Sequence, residues 1–221
     1  MNQIARYLIT IPAVLLVIML HELAHGLMAY KLGDPTAKRM GRLTLDPLKH
    51  LDPVGALCMV LFHFGWAKPV PIDTRYFRHP KRDMALTALA GPLANLLFAF
   101  LAVPVYLLIW KGYMSLAIES GMESFIAKLV LTLFYFVYYF HAVNLGLCFF
   151  NLIPLPPLDG SRILFAFLPQ RYYFSIMRYE RMIALALMLC LLTGANFGFL
   201  DGIASRISGL MDSVWMLLPI F

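Results

Sequence analysis

The amino-acid sequence predicts an all-α polytopic membrane protein. Of its 221 residues, 61% are hydrophobic and only 14% are charged, and the mean hydropathy is +0.76. Soluble domains are usually about 45–50% apolar and about 25% charged. Several apolar stretches also reach the ~20 residues that a helix needs to cross a bilayer. We therefore expect about four core transmembrane helices, with a re-entrant or interfacial segment and a short β element in the first connection.

Four segments are long enough to span a membrane, at about residues 4–30, 84–110, 126–153 and 182–200. The first resembles a signal peptide, but no small-x-small cleavage site follows Leu20, so we expect it to be retained. The stretch 54–66 is apolar but short, which favours a re-entrant or interfacial segment over a span. The tail at 203–221 carries charges among apolar residues, and the sequence leaves its relation to the membrane open.

Lysine and arginine residues are distributed unevenly among the connections. Ten fall between Lys31 and Arg82, two lie in 111–128 and four lie in 154–181. Because cytoplasmic loops carry an excess of basic residues, we expect the first and third connections to be cytoplasmic and the N-terminus to be outside. The same rule explains the net charge of +6, so the expected partner is the lipid bilayer and not nucleic acid.

A short β element is predicted in the first connection. Residues 42–46 alternate polar and apolar side chains, which is the period of a β-strand. Pro47 and Pro53 follow and end the pattern. We expect a strand or hairpin near the cytoplasmic interface.

The first predicted span ends with His21-Glu22-Leu23-Ala24-His25-Gly26. Histidines at i and i+4 lie on one face of a helix, so both imidazoles can bind one metal ion. Glu22 lies about 100° around the helix from His21 and can act as a general base without binding the metal. A charge at the centre of a span costs about 2.5–3.5 kcal/mol. A functional site is therefore favoured over a merely polar helix end.

Asp159 is the candidate for the third metal ligand that a catalytic site needs. Three prolines between residues 154 and 157 break helix geometry just before it, and Gly160 permits a positive φ. Irregular backbone at membrane depth is tolerated where it lines a cavity or is buried in protein. The alternative is an ordinary interfacial turn, but the histidine motif on the same predicted side favours a ligand.

Other residues of metal-binding type are weaker candidates. His50, His63 and His79 lie in the basic connection, where we expect solvated or interfacial side chains, and His141 lies in mid-span, where a packing role is expected. The cysteines form no C-x-x-C motif and fall in apolar stretches. We expect all three to be small buried residues and not a disulfide or a metal site.

Together these motifs resemble the site-2 protease family. The family carries His-Glu-x-x-His in an early span and Asn-x-x-Pro-x-x-Pro-Leu-Asp-Gly in a later one, matched here by residues 21–25 and 151–160. A Gly-Pro-x-x-Asn motif between them is matched by residues 91–95, and residues 41–47 resemble the region after the first motif in bacterial members. The resemblance covers about residues 20–164.

The resemblance implies the role of each site residue. His21, His25 and Asp159 match the family's ligands for one zinc ion, and Glu22 matches its catalytic glutamate. Asn151 matches an asparagine that holds substrate or the oxyanion, a role that suits a carboxamide N–H. Asn95 is a further candidate for such a role, with helix–helix hydrogen bonding as the alternative for both asparagines.

The resemblance also implies the function and location of the whole chain. Residues 1–221 would form a single membrane-embedded metalloprotease domain in the bacterial inner membrane, with its active site toward the cytoplasm. It would be an intramembrane zinc metalloendopeptidase that cleaves transmembrane protein substrates. Many relatives carry a PDZ or CBS domain, for which this chain has no room.

Other function classes use similar residues. A transporter or metal-permease core also combines broken helices with intramembrane His and Asp, although no internal repeat is visible. Another membrane zincin family would supply a Glu as third ligand, but the candidate Glu180 lies in an Arg-rich connection. A catalytically idle metal-binding protein is disfavoured by the intact Glu22.

Overall fold

The computed structural model describes residues 3–62, 67–121, 124–169, 175–193 and 198–220. These residues are predominantly helical, and a short 3₁₀ helix covers Thr74–Tyr76. The helices are α1 (Gln3–Lys31), α2 (Thr36–Arg39), α3 (Pro47–His50), α4 (Pro53–Phe62), α5 (Pro80–Ser120), α6 (Phe125–Asn151), α7 (Asp159–Phe167), α8 (Glu180–Leu192) and α9 (Gly198–Met216).

Three helices of the described part are long and apolar enough to cross a membrane. They comprise Arg6–Lys31 within α1, Pro80–Ile118 within α5, and Phe125–Asn151. In the most apolar stretch of each helix, at most 28% of the residues are buried. This low burial is expected when most side chains face lipid. The first three predicted spans are therefore confirmed as helices of spanning length, and the second is longer than predicted.

The predicted fourth span, residues 182–200, does not form one continuous helix. Helix α8 has 13 residues and ends at Leu192, so it is about 20 Å long against a bilayer core of about 30 Å. Thr193 follows the helix, and its N–H and hydroxyl both donate to the Leu189 carbonyl. Residues 194–197 lie outside the described residues.

The predicted re-entrant or interfacial segment begins as a helix. Helix α4 covers ten residues, Pro53–Phe62, and Asp52 caps it by accepting from the N–H groups of Val54 and Gly55. Ten residues are too few to cross a bilayer. Residues 63–66 lie outside the described part, and the placement of this segment in the interface stays a prediction.

The predicted β element at residues 42–46 is not a strand. Residues 43–45 form bends and residues 42 and 46 belong to no helix or strand, and local side chains take part in the hydrogen bonding of this backbone. Thr44 accepts from the N–H of Asp46, and Asp46 accepts from Leu48 at the start of α3, so the backbone has alternatives to a sheet ladder. Among the described residues the β structure is an isolated antiparallel bridge between Leu51 and Ala67.

The chain divides into two compact units. The His141 unit comprises Met1–Val17, Asn95–Gly146 and Phe199–Phe221, and the His21 unit comprises Ile18–Ala94 and Leu147–Gly198. Both units are assembled from segments distant in the sequence. The prediction that residues 1–221 form a single domain stays a prediction.

Buried polar contacts attach α9 within the His141 unit. The Tyr106 hydroxyl donates to the Asp212 carboxylate, and Trp215 Nε1 donates to the Phe100 carbonyl at 3.1 Å. Charged and polar groups within an apolar helix are costly unless paired. These contacts explain how the charged tail that the sequence left open packs as a helix.

The three cysteines differ in their environments. All are free thiols, but only Cys148 is buried, while Cys58 is half-buried and Cys190 is exposed. The prediction of three buried residues holds for Cys148 and is wrong for Cys190. An apolar neighbourhood in the sequence does not imply burial when a helix face is left uncovered, as on α8.

Candidate metal centre

Three potential metal ligands converge in the His21 unit. The Nε2 atoms of His21 and His25 lie 3.0 Å apart, and Asp159 Oδ2 lies 3.1 Å and 3.2 Å from them. Within the described residues these side chains form a group that could hold one metal ion. Both histidines are buried and Asp159 is nearly so. Residues 138 positions apart in the sequence are thus brought into one cluster.

Hydrogen bonding orients the ring of His25 toward this cluster. Its Nδ1 lies 2.7 Å from the carbonyl oxygen of Thr87 on α5. Because a carbonyl can only accept, Nδ1 carries a hydrogen, and the neutral ring then has its lone pair on Nε2, where a metal ion can bind. Such an outer partner is typical of metal-binding histidines.

Asp159 is the first residue of α7 and is ionised at neutral pH. Burial acts to raise the pKa of its carboxyl, but interactions with the imidazoles of His21 and His25 outweigh it and bring the pKa to about 2. The N-terminus of a helix also favours a negative charge. Asp159 therefore supplies a carboxylate oxygen, which is the form that binds a metal ion.

Two glycines allow helices to approach the cluster closely. A Cβ added to Gly91 on α5 would lie 2.5 Å from His25 Nε2 and 2.6 Å from His21 Cε1. A Cβ added to Gly160 would overlap the Leu152 and Ile153 carbonyls. Gly160 is helical and is absent from the described glycines of positive φ, so it does not use the positive φ that glycine permits. Its small size is what matters.

A polar cavity of about 310 Å³ opens beside the cluster. Glu22 lies in its wall, one position along α1 from His21, and its Oε2 accepts a hydrogen bond from the Val70 N–H at 2.7 Å. The polar groups that line it are those of His21, Glu22, His25, Asn151, Asp159 and Arg162. A carboxylate thus lies next to the potential metal ligands without belonging to their cluster.

The two predicted substrate-binding asparagines have different positions. Asn151, at the end of α6, lines the cavity, and its Nδ2 donates to the Leu147 carbonyl at 3.1 Å. Asn95 is fully buried but belongs to the His141 unit and is not among the described residues that line the cavity. A role for Asn95 in binding substrate stays a prediction.

The remaining histidines lie outside the cluster. His50 is buried and donates to the Thr44 carbonyl, so the prediction of a solvated or interfacial side chain was wrong for it. His79 is exposed, as predicted, and His63 lies outside the described residues. His141 is buried and hydrogen-bonded through both ring nitrogens, which confirms the predicted packing role.

Sequence reasoning missed Val70 and Arg162. Val70 contacts Glu22 through its backbone N–H, which no side-chain motif can indicate. Arg162 lines the cavity and lies 3.5 Å from the Glu180 carboxylate. Its position three residues after Asp159 on a helix could have indicated that both share one face.

Comparison with known proteins gives one family match and several relatives. The model of "Peptidase family M50" matches residues 9–194. YwhC of Bacillus subtilis (strain 168) is 42% identical over 147 residues, which cover 66% of this chain and 62% of that protein. Rip2 of Mycolicibacterium smegmatis is 26% identical over 174 residues, 72% of this chain and 57% of that protein. Rip2 of Mycobacterium tuberculosis is 29% identical over 168 residues, 70% and 55% of the two chains.

The names of these relatives describe them as candidate zinc metalloproteases. The matched part of the chain spans less than two thirds of the length of each. No solved structure matches the chain significantly. The family model covers most of the chain, and three apolar helices of spanning length accompany it. The chain is therefore an integral membrane protein that belongs to peptidase family M50, the family of the site-2 proteases.

Proposed function

We propose that this protein is an intramembrane zinc metalloendopeptidase that hydrolyses peptide bonds in transmembrane protein substrates. The observation that carries the proposal is the convergence of His21, His25 and Asp159 beside Glu22 in one polar cavity. Membership of family M50 and the names of the relatives support it.

The donor set fits a zinc ion. Two imidazole nitrogens and a carboxylate oxygen are ligands that zinc takes in catalytic sites, which keep a fourth position open. The separations of 3.0–3.2 Å between these atoms approach the edge of a tetrahedron with bonds of about 2.0–2.1 Å, roughly 3.3 Å. His21, His25 and Asp159 would therefore hold one zinc ion per chain with little rearrangement.

Different residues of the chain would have different roles in hydrolysis. A zinc ion held there would polarise the scissile carbonyl and lower the pKa of a nearby water to near 7. The Glu22 carboxylate would take a proton from the attacking water and deliver it to the leaving amine. Asn151 Nδ2 carries two hydrogens, and among the contacts of the described residues one of them is donated to the Leu147 carbonyl. The other is available for the developing oxyanion.

The proposed substrate must unfold locally before it is cleaved. A transmembrane helix keeps its peptide bonds inside its own hydrogen-bonding pattern, so the scissile segment has to become extended to enter the cavity. Because the connections before α5 and after α6 are rich in Lys and Arg, we propose that the cavity opens toward the cytoplasmic side of the bacterial inner membrane.

The test is cleavage by purified protein reconstituted in lipid with zinc. The probe is a single-span model protein that carries a Gly-Pro pair in its span and a tag at each end. Glu22→Gln should lower the cleavage rate by about 10²–10⁴-fold, the usual contribution of a general acid–base group, while bound zinc stays near the wild-type content. The matched control is Asp201→Asn, which changes an exposed carboxylate on α9 and should leave the rate unchanged.

Two results would contradict the proposal. One is cleavage by Glu22→Gln at the wild-type rate, which would remove the general base. The other is an absence of cleavage in wild-type protein that holds a full equivalent of zinc. A transporter or permease core predicts this second result, because it binds an ion without activating water.

A further inference from the structure

We propose that residues 67–73, a strap that contacts α1, position Glu22 through the backbone N–H of Val70. The inference rests on the proposed function of Glu22 as general base. The strap has no helix or strand of its own beyond the bridge at Ala67, and Pro69, Val70 and Ile72 line the cavity. Val70 would be a positioning residue, since it acts on the reaction through Glu22.

The contact between the strap and Glu22 is a short charge-assisted hydrogen bond. The Val70 nitrogen lies 2.7 Å from Glu22 Oε2, within the range for donors to a carboxylate. Pro69 and Pro71 flank Val70 and have no N–H, so the strap offers one donor at this place. With Oε2 held, the carboxylate cannot rotate freely, and Oε1 is left to receive a proton from water.

The side chains of Val70 and Leu43 pack against α1 at Gly26, which has no side chain of its own. Gly26 lies one turn after Glu22, on the same helix face. A Cβ there would lie 3.1 Å from Val70 Cγ1 and 2.6 Å from Leu43 Cδ2. Two neighbouring faces of α1 therefore have different partners. The face that carries His21 lies against Gly91 and Asp159, and the face that carries Glu22 lies against the strap.

Hydrogen bonds fix the first end of the strap. The N–H of Lys68 donates to the His50 carbonyl at 2.9 Å. The Lys68 carbonyl accepts from the Arg42 guanidinium at 2.7 Å, and Arg42 is only 6% exposed. A buried guanidinium is costly unless it is hydrogen-bonded, so Arg42 has a structural reason to stay in this place.

A buried carboxylate fixes the other end. Asp34 is fully buried, and its Oδ2 accepts from the Asp73 N–H at 2.7 Å while its Oδ1 accepts from Thr36 at 2.9 Å. Gly33, with a φ of 109°, makes the turn that places Asp34 there. The strap is thus held at both ends by buried charged side chains, with the Val70 N–H between them.

Amide hydrogen exchange tests the contact without reference to activity. In purified protein, the Val70 amide should exchange slowly, and Glu22→Ala should speed its exchange at least about tenfold because the acceptor is gone. Glu22→Gln is the matched control, since its amide oxygen still accepts and should preserve most of the protection. The Asp73 amide, bonded to Asp34, is the internal reference and should stay slow in both variants.

A double-mutant cycle tests whether Val70 acts through Glu22. Val70→Pro removes the N–H and should lower kcat about 10–100-fold, as expected for misplacement of a catalytic group, with KM and zinc content unchanged. Val70→Ala keeps the N–H, so it should lower kcat less than Val70→Pro does. In the Glu22→Gln background, Val70→Pro should lower the residual kcat less than about twofold, because the group that it positions is already lost.

A second variant covers the case in which Val70→Pro does not fold. Asp34→Ala releases the Asp73 end of the strap and should speed exchange of the Val70 amide and lower kcat with zinc retained. Its control is Arg75→Gln, since the Arg75 side chain is 88% exposed and pairs only with Asp73 among the contacts described.

The results separate this inference from the proposed function. Equal Val70 exchange in wild type and Glu22→Ala, or equal losses from Val70→Pro with and without Glu22, would overturn the positioning role while leaving the protease intact. The opposite result is slow exchange of the Val70 amide that depends on the residue at position 22, in a zinc-loaded protein that cleaves no substrate. It would support the contact between Val70 and Glu22 and contradict the proposed protease function.

Discussion

Each of the two units contains a cluster around a buried histidine, and the clusters use their ring nitrogens differently. In the His141 unit, His141 Nδ1 lies 2.9 Å from the Ala99 carbonyl and Nε2 lies 2.9 Å from the Ser208 hydroxyl. Both nitrogens are therefore engaged with ordinary protein groups. In the His21 unit, His25 uses Nδ1 for the Thr87 carbonyl and directs Nε2 toward His21 and Asp159.

The difference shows what distinguishes a candidate metal centre from a polar packing contact. A histidine in an apolar span is a functional candidate by residue type alone, and both clusters meet that condition. Only the His21 cluster, among the described residues, directs three ligand atoms toward one another. Convergence of unshared lone pairs, rather than burial or residue type, is what makes metal binding chemically sensible.

The largest effect should come from the ligand side chains. His21→Ala, His25→Ala or Asp159→Ala should lower zinc affinity by more than the ~10–100-fold that loss of an outer partner costs, and cleavage should be lost with the metal. Metal analysis and the cleavage assay, on the same preparation, provide the measurement. Retention of a full equivalent of zinc by any of these variants would remove that residue from the site.

The matched control for this prediction is His141→Gln. A glutamine can keep one or both of the hydrogen bonds to Ala99 and Ser208, and His141 contributes no lone pair to the His21 cluster. Zinc content and cleavage should therefore stay within about twofold of wild type. Loss of zinc from His141→Gln in a folded protein would contradict the division between the two clusters.

A smaller effect is expected at Gly91, where α5 meets the imidazoles. Gly91→Ala places a methyl group within 2.6 Å of both rings, so the rings must move and zinc affinity should fall about 10–100-fold. The control is Gly146→Ala on α6, where a Cβ meets nothing within 4 Å and alanine favours helix by up to ~1 kcal/mol. Zinc titration followed by thermal unfolding distinguishes the two variants. Equal zinc affinities would show that the imidazoles do not need a glycine at position 91.

The smallest effect should be in the His141 unit. Tyr106→Phe removes the hydroxyl that donates to Asp212 and should reduce the free energy of unfolding by about 0.6–1.7 kcal/mol, the range for such bonds in membranes. Zinc content should not change. Tyr138→Phe, at a side chain that is 43% exposed, is the control. A loss of zinc in Tyr106→Phe would contradict the assignment of this contact to packing alone.

Much of the candidate site could be predicted because its motifs are local. The histidines and Glu22 follow from helical periodicity on α1. Asp159 was predicted as a ligand from the proline-broken turn only together with the histidine motif on the same predicted side and the resemblance to the site-2 protease family. The contributions of Gly91 and Val70 could not be predicted in this way. The contribution of Gly91 depends on its having no side chain where its helix meets the imidazoles. The contribution of Val70 depends on a backbone N–H, which every non-proline residue possesses.

The fold shows the same division. Apolar length alone predicted α1, α5 and α6, because the bilayer requires about 20 consecutive apolar residues of any spanning helix. The strand predicted at residues 42–46 does not form, because alternation of polar and apolar residues carries no information about a pairing partner. The Thr44 and Asp46 side chains accept hydrogen bonds from nearby backbone N–H groups instead. The fourth apolar stretch does not form one helix, since α8 ends at Leu192, and hydropathy by itself does not indicate where a helix ends.

The sequence by itself determined the membrane class, three helices of spanning length and the residue types of a metal centre, because each of these depends on composition or on spacing along one helix. Only the tertiary structure decided that Asp159 meets the two histidines and that the strap contacts Glu22. Those facts depend on distances between segments far apart in the chain. Close approach at Gly91 and Gly160 and buried hydrogen bonds of Asp34 and Arg42 help to set these distances, and each involves two segments.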